Sequence, residues 1–396
     1  TLNSMVKDGR IDLGVLGITD DDIREIGQIT IVACGSAWHV GMETQYVIED
    51  LAGIPVRVEL ASEFRYRKML LGAPRAISAG VAEGKPDGMA VGVSEGKPIG
   101  GAGGLSDGKS IGVSDGKPDG MAAGMSDGKA IGVPDGKSDR ISTETPGGMA
   151  ISQKTLVIVI SQSGETADTL AALRLAKEKG LKTLAIVNVV GSSIAREADH
   201  VLYTLAGPEI SVATTKAYSA QLVAADCLAV QFAFARGMIT EEQYKGYISE
   251  LLTIPGKMER ILEDKGRIQW FAAKYANARD VFFIGRGIDY AVGLEGSLKL
   301  KEISYVHSEA YAAGELKHGT ISLIENGTLV IGILTQSGLY EKTISNMVEC
   351  KSRGAYLMGL TTFGKYETED QADFTVYVPK VDEHFVGSLA VVPLQL

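Results

Sequence analysis

The stretch Leu156-Val157-Ile158-Val159-Ile160-Ser161-Gln162-Ser163-Gly164-Glu165-Thr166 decides the fold. Its first five residues are aliphatic without a polar break, and four of them are β-branched. Such a run is a strand buried on both faces, not one with a wet face. A polar turn follows, and then a helix is predicted from about Thr166 to Lys179, stopped by Gly180. Strand, tight turn and helix in that order form the unit of a parallel sheet covered on both sides.

Working outward, the same unit recurs. Before it come strand Ile29–Ala33, the turn Cys34-Gly35-Ser36, a helix through Tyr46–Leu51 and strand Val56–Leu60. After it come strands Thr183–Val187 and His200–Thr204. Helical segments from about Thr215 to Leu262 lead to a second copy. That copy has strand Val281–Ile284, turn Gly285-Arg286-Gly287, a helix through Glu295–Lys301, strand Thr328–Ile333, a helix around Lys342–Arg353, and strands Ala355–Leu360 and Phe374–Val378. The expected fold is α/β, a duplicated doubly wound parallel sheet, with ligands beyond the carboxyl ends of the strands.

Within the first copy, between strand Val56–Leu60 and strand Leu156–Ile160, lies a repeat. Glycine occupies every fourth position from Gly80 to Gly136, with lysine after it at Lys85, Lys97, Lys109, Lys117, Lys129 and Lys137. Glycine at that density opposes a helix, and Pro86, Pro98, Pro118 and Pro134 interrupt strand pairing. A flexible insert over 74–152 is expected, with a glycine-rich solenoid as the alternative. The period of four residues matches an in-frame tandem expansion of twelve nucleotides.

Composition narrows the function. The 396 residues carry 39 basic and 49 acidic side chains, a net charge of −10. That balance argues against nucleic acid and against an anionic membrane surface as partners. No run of eighteen apolar residues is present. Cys34, Cys227 and Cys350 are too few and too scattered for a disulfide framework or a zinc site, which fits a reducing compartment. The chain starts without Met or a signal-like segment, so a piece of a longer reading frame is expected.

An anionic ligand in an acidic protein needs local help, and Ser161–Thr166 offers it. A helix start presents free N–H groups and a partial positive charge, where phosphate binds readily. Ser161, Ser163 and Thr166 add hydroxyls, and Gly164 allows close backbone approach. The competing explanation is a plain N-cap. Cys34-Gly35-Ser36-Ala37 is a second turn of this type, balanced between packing and binding. Ser211-Val212-Ala213-Thr214-Thr215-Lys216 is a third, for which a helix cap is the simpler account. Lys299 and Glu302 share a helix face, as a surface ion pair or as an acid–base couple. His318 is one of five histidines and gains interest from its neighbouring charges.

Taken together, ACGSAW, ELASEFRYR, ISQSGETADTL, VGSSIAREAD, VATTKAYSAQL, GRGIDYAVGLEGSLKLKEISYVHSEAYAAGELKHG and VPLQL resemble the double sugar isomerase (SIS) half of the glutamine–fructose-6-phosphate aminotransferase family. The resemblance covers nearly all of the chain outside 74–152. It implies two flavodoxin-like SIS domains, the first built from 1–73 and 153–214 and the second from 263–396, with a helical connection over 215–262. It implies fructose 6-phosphate as substrate and glucosamine 6-phosphate as product, with no cofactor and no metal. On it, Ser161, Gln162, Ser163 and Thr166 hold the phosphate, while Ser36, Val212 and Thr214 contact the sugar. Glu302 is the base between C1 and C2, Lys299 its helper, and His318 the ring-opening group supplied across a homodimer in the cytoplasm. The glutaminase part and a lysine-bearing tail of the family are expected to lie outside these 396 residues, so the chain is expected to bind sugar phosphate but turn it over slowly or not at all. A related SIS-type deglycase or isomerase and a non-catalytic sugar-phosphate sensor are the alternatives.

Overall fold

Each buried aliphatic run becomes a strand, and each polar turn after it opens toward the same edge. The computed structural model describes residues 1–13, 16–66 and 154–396. The repeat expected as a flexible insert over 74–152 lies outside the described residues.

The first sheet contains β1 (Ile26–Ala33), β2 (Val56–Leu60), β3 (Lys154–Ser161), β4 (Lys182–Val187) and β5 (His200–Tyr203). All pairs are parallel, in the order β2-β1-β3-β4-β5. The second sheet contains β6 (Asp280–Gly285), β7 (His307–Ala312), β8 (Leu329–Leu334), β9 (Tyr356–Thr362) and β10 (Phe374–Val378). It is also parallel, in the order β7-β6-β8-β9-β10. Both sheets therefore have the doubly wound 2-1-3-4-5 order, with a switch point between their first and third strands. In β3 every residue from Thr155 to Ser161 is buried, as the unbroken aliphatic run requires.

The main helices are α1 (Ser36–Ala52), α2 (Ala167–Glu178), α3 (Lys216–Ala235), α4 (Glu241–Glu263), α5 (Lys265–Lys274), α6 (Ile288–Ser304), α7 (Tyr340–Ser352) and α8 (Gly387–Gln395). α3 is long and apolar enough to cross a membrane, but most of it is buried against protein. Leu222, Leu228 and Phe232 belong to a core shared by both sheets, and a helix apolar on all sides belongs in such a core. α1 and α6, the first helices of the two sheets, pack on each other, and α8 packs on α4 and α6.

Sequence periodicity misses helices α5 and α8 and strand β7. Its residues, His307-Ser308-Glu309-Ala310-Tyr311-Ala312, mix polar and small side chains and pair only with β6. An edge strand with one neighbour needs no continuous apolar run.

Two ionisable groups, half-buried His384 and buried Glu43, tie the halves together. His384, between β10 and α8, places Nδ1 2.6 Å from Asp382 and Nε2 2.6 Å from Asp50 at the end of α1. A carboxylate at each nitrogen requires both to carry protons. Burial opposes that charge, but the two hydrogen bonds outweigh it and raise the imidazole's pKa. Glu43 of α1 is fully enclosed, receives the Tyr218 hydroxyl of α3, and abuts Gly387 at the start of α8. Burial pushes its carboxyl up to about 8, although the Tyr218 hydrogen bond pulls the other way.

The folded state thus prefers neutral Glu43. Stability from that protonated form is complete below the ordinary value near 4.5 and is lost as pH rises through about 8. Urea denaturation across this window is expected to show falling stability, by up to about 1.4 kcal/mol per pH unit from this group. Glu43→Gln should flatten the slope; identical slopes in both proteins would refute the assignment.

Candidate functional site

β3 ends at Ser161, and its hydroxyl turns inward. It pairs with Thr166 Oγ1 at 2.9 Å and accepts the Gly164 N–H at 3.1 Å. Ser163 Oγ accepts the Glu165 N–H at 3.2 Å. Glu165 Oε1 accepts the Ser193 N–H at 2.7 Å, and the Gly164 carbonyl accepts that of Ile194 at 3.0 Å. The hydroxyls therefore build the turn as well as furnishing donors. Gly164 has φ of +65°, and a Cβ there would collide with Ser192, so only glycine fits.

What the turn leaves open points to an anion. Thr166 is the N-cap of α2, yet its side chain caps nothing. Among the described residues, the N–H groups of Gln162 and Ser163 have no acceptor. Gln162, Ser163 and Thr166 are half-buried at the mouth of the turn. Free amides at a helix start with a buried floor are what a phosphate needs.

The third loop reaches this turn through Glu209. Gln162 and Glu209 line one cleft of about 480 Å³ with Asn188, Leu205 and Pro208. Glu209 Oε2 accepts Thr214 Oγ1 at 3.2 Å and the N–H groups of Thr215 and Ala217 at 3.3 and 3.2 Å, capping α3. Thr214 is thus fixed beside the cleft, while Val212 is fully exposed.

The first turn meets α6. Ser36 Oγ donates to Glu295 Oε1 at 2.9 Å, and His39 Nδ1 lies 2.7 Å from Glu295 Oε2. Lys299 Nζ is 3.5 Å from Glu295 and is ion-paired with Glu302. Glu295 has no exposed side-chain surface and Lys299 has 4%, but Glu302 keeps 34%. Along this helix face the charges run from a sealed carboxylate, through a sealed ammonium, to a carboxylate that solvent and ligand can reach. The seven steps from Glu295 to Glu302 span about 10 Å of helix. Thr215 and Lys299 also line one apolar cleft of about 490 Å³ with Phe271, Phe283, Leu300 and Leu394.

The structure therefore joins Gln162 to Thr214 through Glu209, and Ser36 to Lys299 and Glu302 through Glu295. His318 sits in the turn Leu316–His318, exposed and without a side-chain partner among the described residues. Glu295, His39 and Glu209 are the members that residue patterns missed. The available signal was the i, i+4, i+7 spacing of Glu295, Lys299 and Glu302, which puts all three on one helix face. Among the described residues no three His, Cys, Asp or Glu side chains are grouped to hold a metal ion.

The model of the SIS domain family matches residues 143–231 and 274–396. The chain belongs to the SIS domain family. It is 42% identical over 392 residues to the glutamine–fructose-6-phosphate aminotransferase [isomerizing] of Caldanaerobacter subterraneus subsp. tengcongensis, covering 99% of this chain and 51% of that protein. The Clostridium tetani protein of the same name is 43% identical over 397 residues, covering 100% and 52%. This SIS chain thus spans about half the length of the curated relatives it matches. The solved C-terminal domain of glucosamine-fructose-6-phosphate aminotransferase from Francisella tularensis superposes with a TM-score of 0.74 at 28% identity, covering 100% of this chain and 88% of that one. Glucosamine-6-phosphate deaminase from Thermotoga maritima shares the fold, with a TM-score of 0.58 at 19% identity, covering 100% and 91%.

Removing the Glu295 carboxylate leaves Lys299 buried beside a single counter-charge and His39 and Ser36 without an acceptor. Glu295→Ala is expected to destabilise the protein by about 3–5 kcal/mol in chemical denaturation; a loss under about 1 kcal/mol would remove it from this central place. Gly164→Ala, strained by its positive φ and by the collision with Ser192, is expected to cost about 2–4 kcal/mol.

Proposed function

We propose that this chain is the sugar-phosphate-isomerising part of a glutamine–fructose-6-phosphate aminotransferase, taking fructose 6-phosphate toward glucosamine 6-phosphate. The observation that carries the proposal is the pairing of a turn whose Gln162 and Ser163 N–H groups have no acceptor among the described residues with an accessible carboxylate, Glu302, held by a buried lysine. In this scheme the turn binds the phosphoryl group through its free N–H groups, the Ser163 hydroxyl and Thr166. Ser36, Val212 and Thr214 border the sugar.

Glu302 takes the proton from one of the two carbons C1 and C2 and returns it to the other, on one face of the open-chain sugar. Lys299, held between Glu295 and Glu302, stabilises the oxyanion that develops during this transfer. Ring opening needs a separate acid–base group, assigned to His318. Its exposed imidazole supports delivery into the site of a partner subunit in a homodimer.

Titration calorimetry with fructose 6-phosphate tests the proposal. Binding is expected at or below millimolar concentration, with fructose at least about tenfold weaker because it lacks the charge-assisted phosphate bonds. No binding at millimolar sugar phosphate would refute it. Glu302→Gln should keep binding within about threefold, since one carboxylate proton site and not the phosphate grip is changed, and should abolish any exchange of substrate C1 or C2 hydrogen with deuterated water.

A further inference from the structure

The two sheets carry the same turn, and in the second the chain's own carboxylates accept its N–H groups. Ser161-Gln162-Ser163-Gly164 follows the third strand of the first sheet, and Thr335-Gln336-Ser337-Gly338 follows the third strand of the second. The match continues into the helices, with Thr169-Leu170 against Thr343-Ile344. The facing first turns match too. Gly35 precedes α1 with φ/ψ of 56°/−134°, and Gly287 precedes α6 with 58°/−127°. Position for position, Ala37 of the first sheet then corresponds to Asp289 of the second.

Carboxylates fill the second turn. Asp289, 1% exposed, accepts the Thr335 N–H at 2.9 Å, the Thr335 hydroxyl, and the Gln336 N–H at 3.3 Å. Glu383, from the segment after β10, accepts the Ser337 N–H at 3.0 Å with Oε1. Its carbonyl accepts Gln336 Nε2 at 3.1 Å. Gln336 and Ser337 are the counterparts of Gln162 and Ser163. The two amides without an acceptor in the first turn are thus the two that hold carboxylates in the second. Gly338 also differs from Gly164 in lacking a positive φ, and Ser337–Leu339 winds into a short 3-10 turn.

We propose that the second sheet holds a phosphate-binding turn of the same design, closed by Glu383 acting as a built-in anion, so that the chain keeps one open phosphomonoester site out of two. Asp289 supports the closure from below, where the methyl of Ala37 leaves the first turn open. The proposal rests on the reading of the first turn as a phosphate site, and one experiment separates the two.

Amide chemical shifts of Ser163 and Ser337 are followed while inorganic phosphate, and then fructose 6-phosphate, is added to the full chain. Calorimetry gives the stoichiometry. In the wild type only Ser163 should move, with one equivalent bound. In Glu383→Ala, Ser337 should move as well and the stoichiometry should rise to two. Glu383→Gln, isosteric and neutral, serves where the alanine variant does not fold, and thermal unfolding checks both. A folded variant whose Ser337 amide stays fixed, with stoichiometry still one, overturns the inference and leaves the first site standing. Movement of Ser337 in the variants without movement of Ser163 in any protein sustains the closure of the second turn by Glu383 and overturns the first site, and with it the count of one open site. No movement at either position overturns both.

Discussion

The geometry of the candidate site depends on one buried carboxylate. Glu295 receives Ser36 and His39 from the first helix of one sheet and Lys299 from its own helix in the other. A charge without contact to water is tolerated only when its lone pairs are filled by donors and a counter-ion. That requirement fixes the approach of α1 to α6 and fixes Lys299 within reach of Glu302. The reactive-looking carboxylate is thus the exposed end of a chain of interactions whose other end is sealed.

Duplication supplies an internal comparison. Both sheets share strand order, the glycine that starts the first helix, and a hydroxyl–glutamine–serine–glycine turn after the third strand. Backbone N–H groups at such a turn attract an anion, because the aligned helix behind them contributes partial positive charge. The second sheet satisfies them with its own side chains, and the first leaves them open. Asp289, raised to about 6 by burial against the pull of its hydrogen bonds, keeps its place through those donors.

Much of this architecture is legible in residue patterns. Short apolar runs locate β3, β6, β8 and β9 because strands buried on both faces admit no alternation. Gly180 and the hydroxyl-rich turn bound α2 to within a residue or two. β7 escapes because an edge strand carries too little apolar surface to announce itself. Spacing places Glu295 on the helix face of Lys299 and Glu302, but its burial is not legible: a glutamate inside a helix ordinarily faces water, and burial here is created only when α1 packs over it.

By itself, the sequence determined the α/β class, the repeat of its unit, the family and the turn that could hold a phosphate. These depend on local periodicity and on backbone conformations that glycine and proline restrict within a few residues. Only the tertiary structure decided which amides stay open, because that depends on Asp289 and Glu383, 46 or more residues from the amides they fill. It also decided that Glu209 and Glu295 bind the separate loops together. Such choices arise where distant segments compete for the same hydrogen-bond donors, and no local pattern records which one wins.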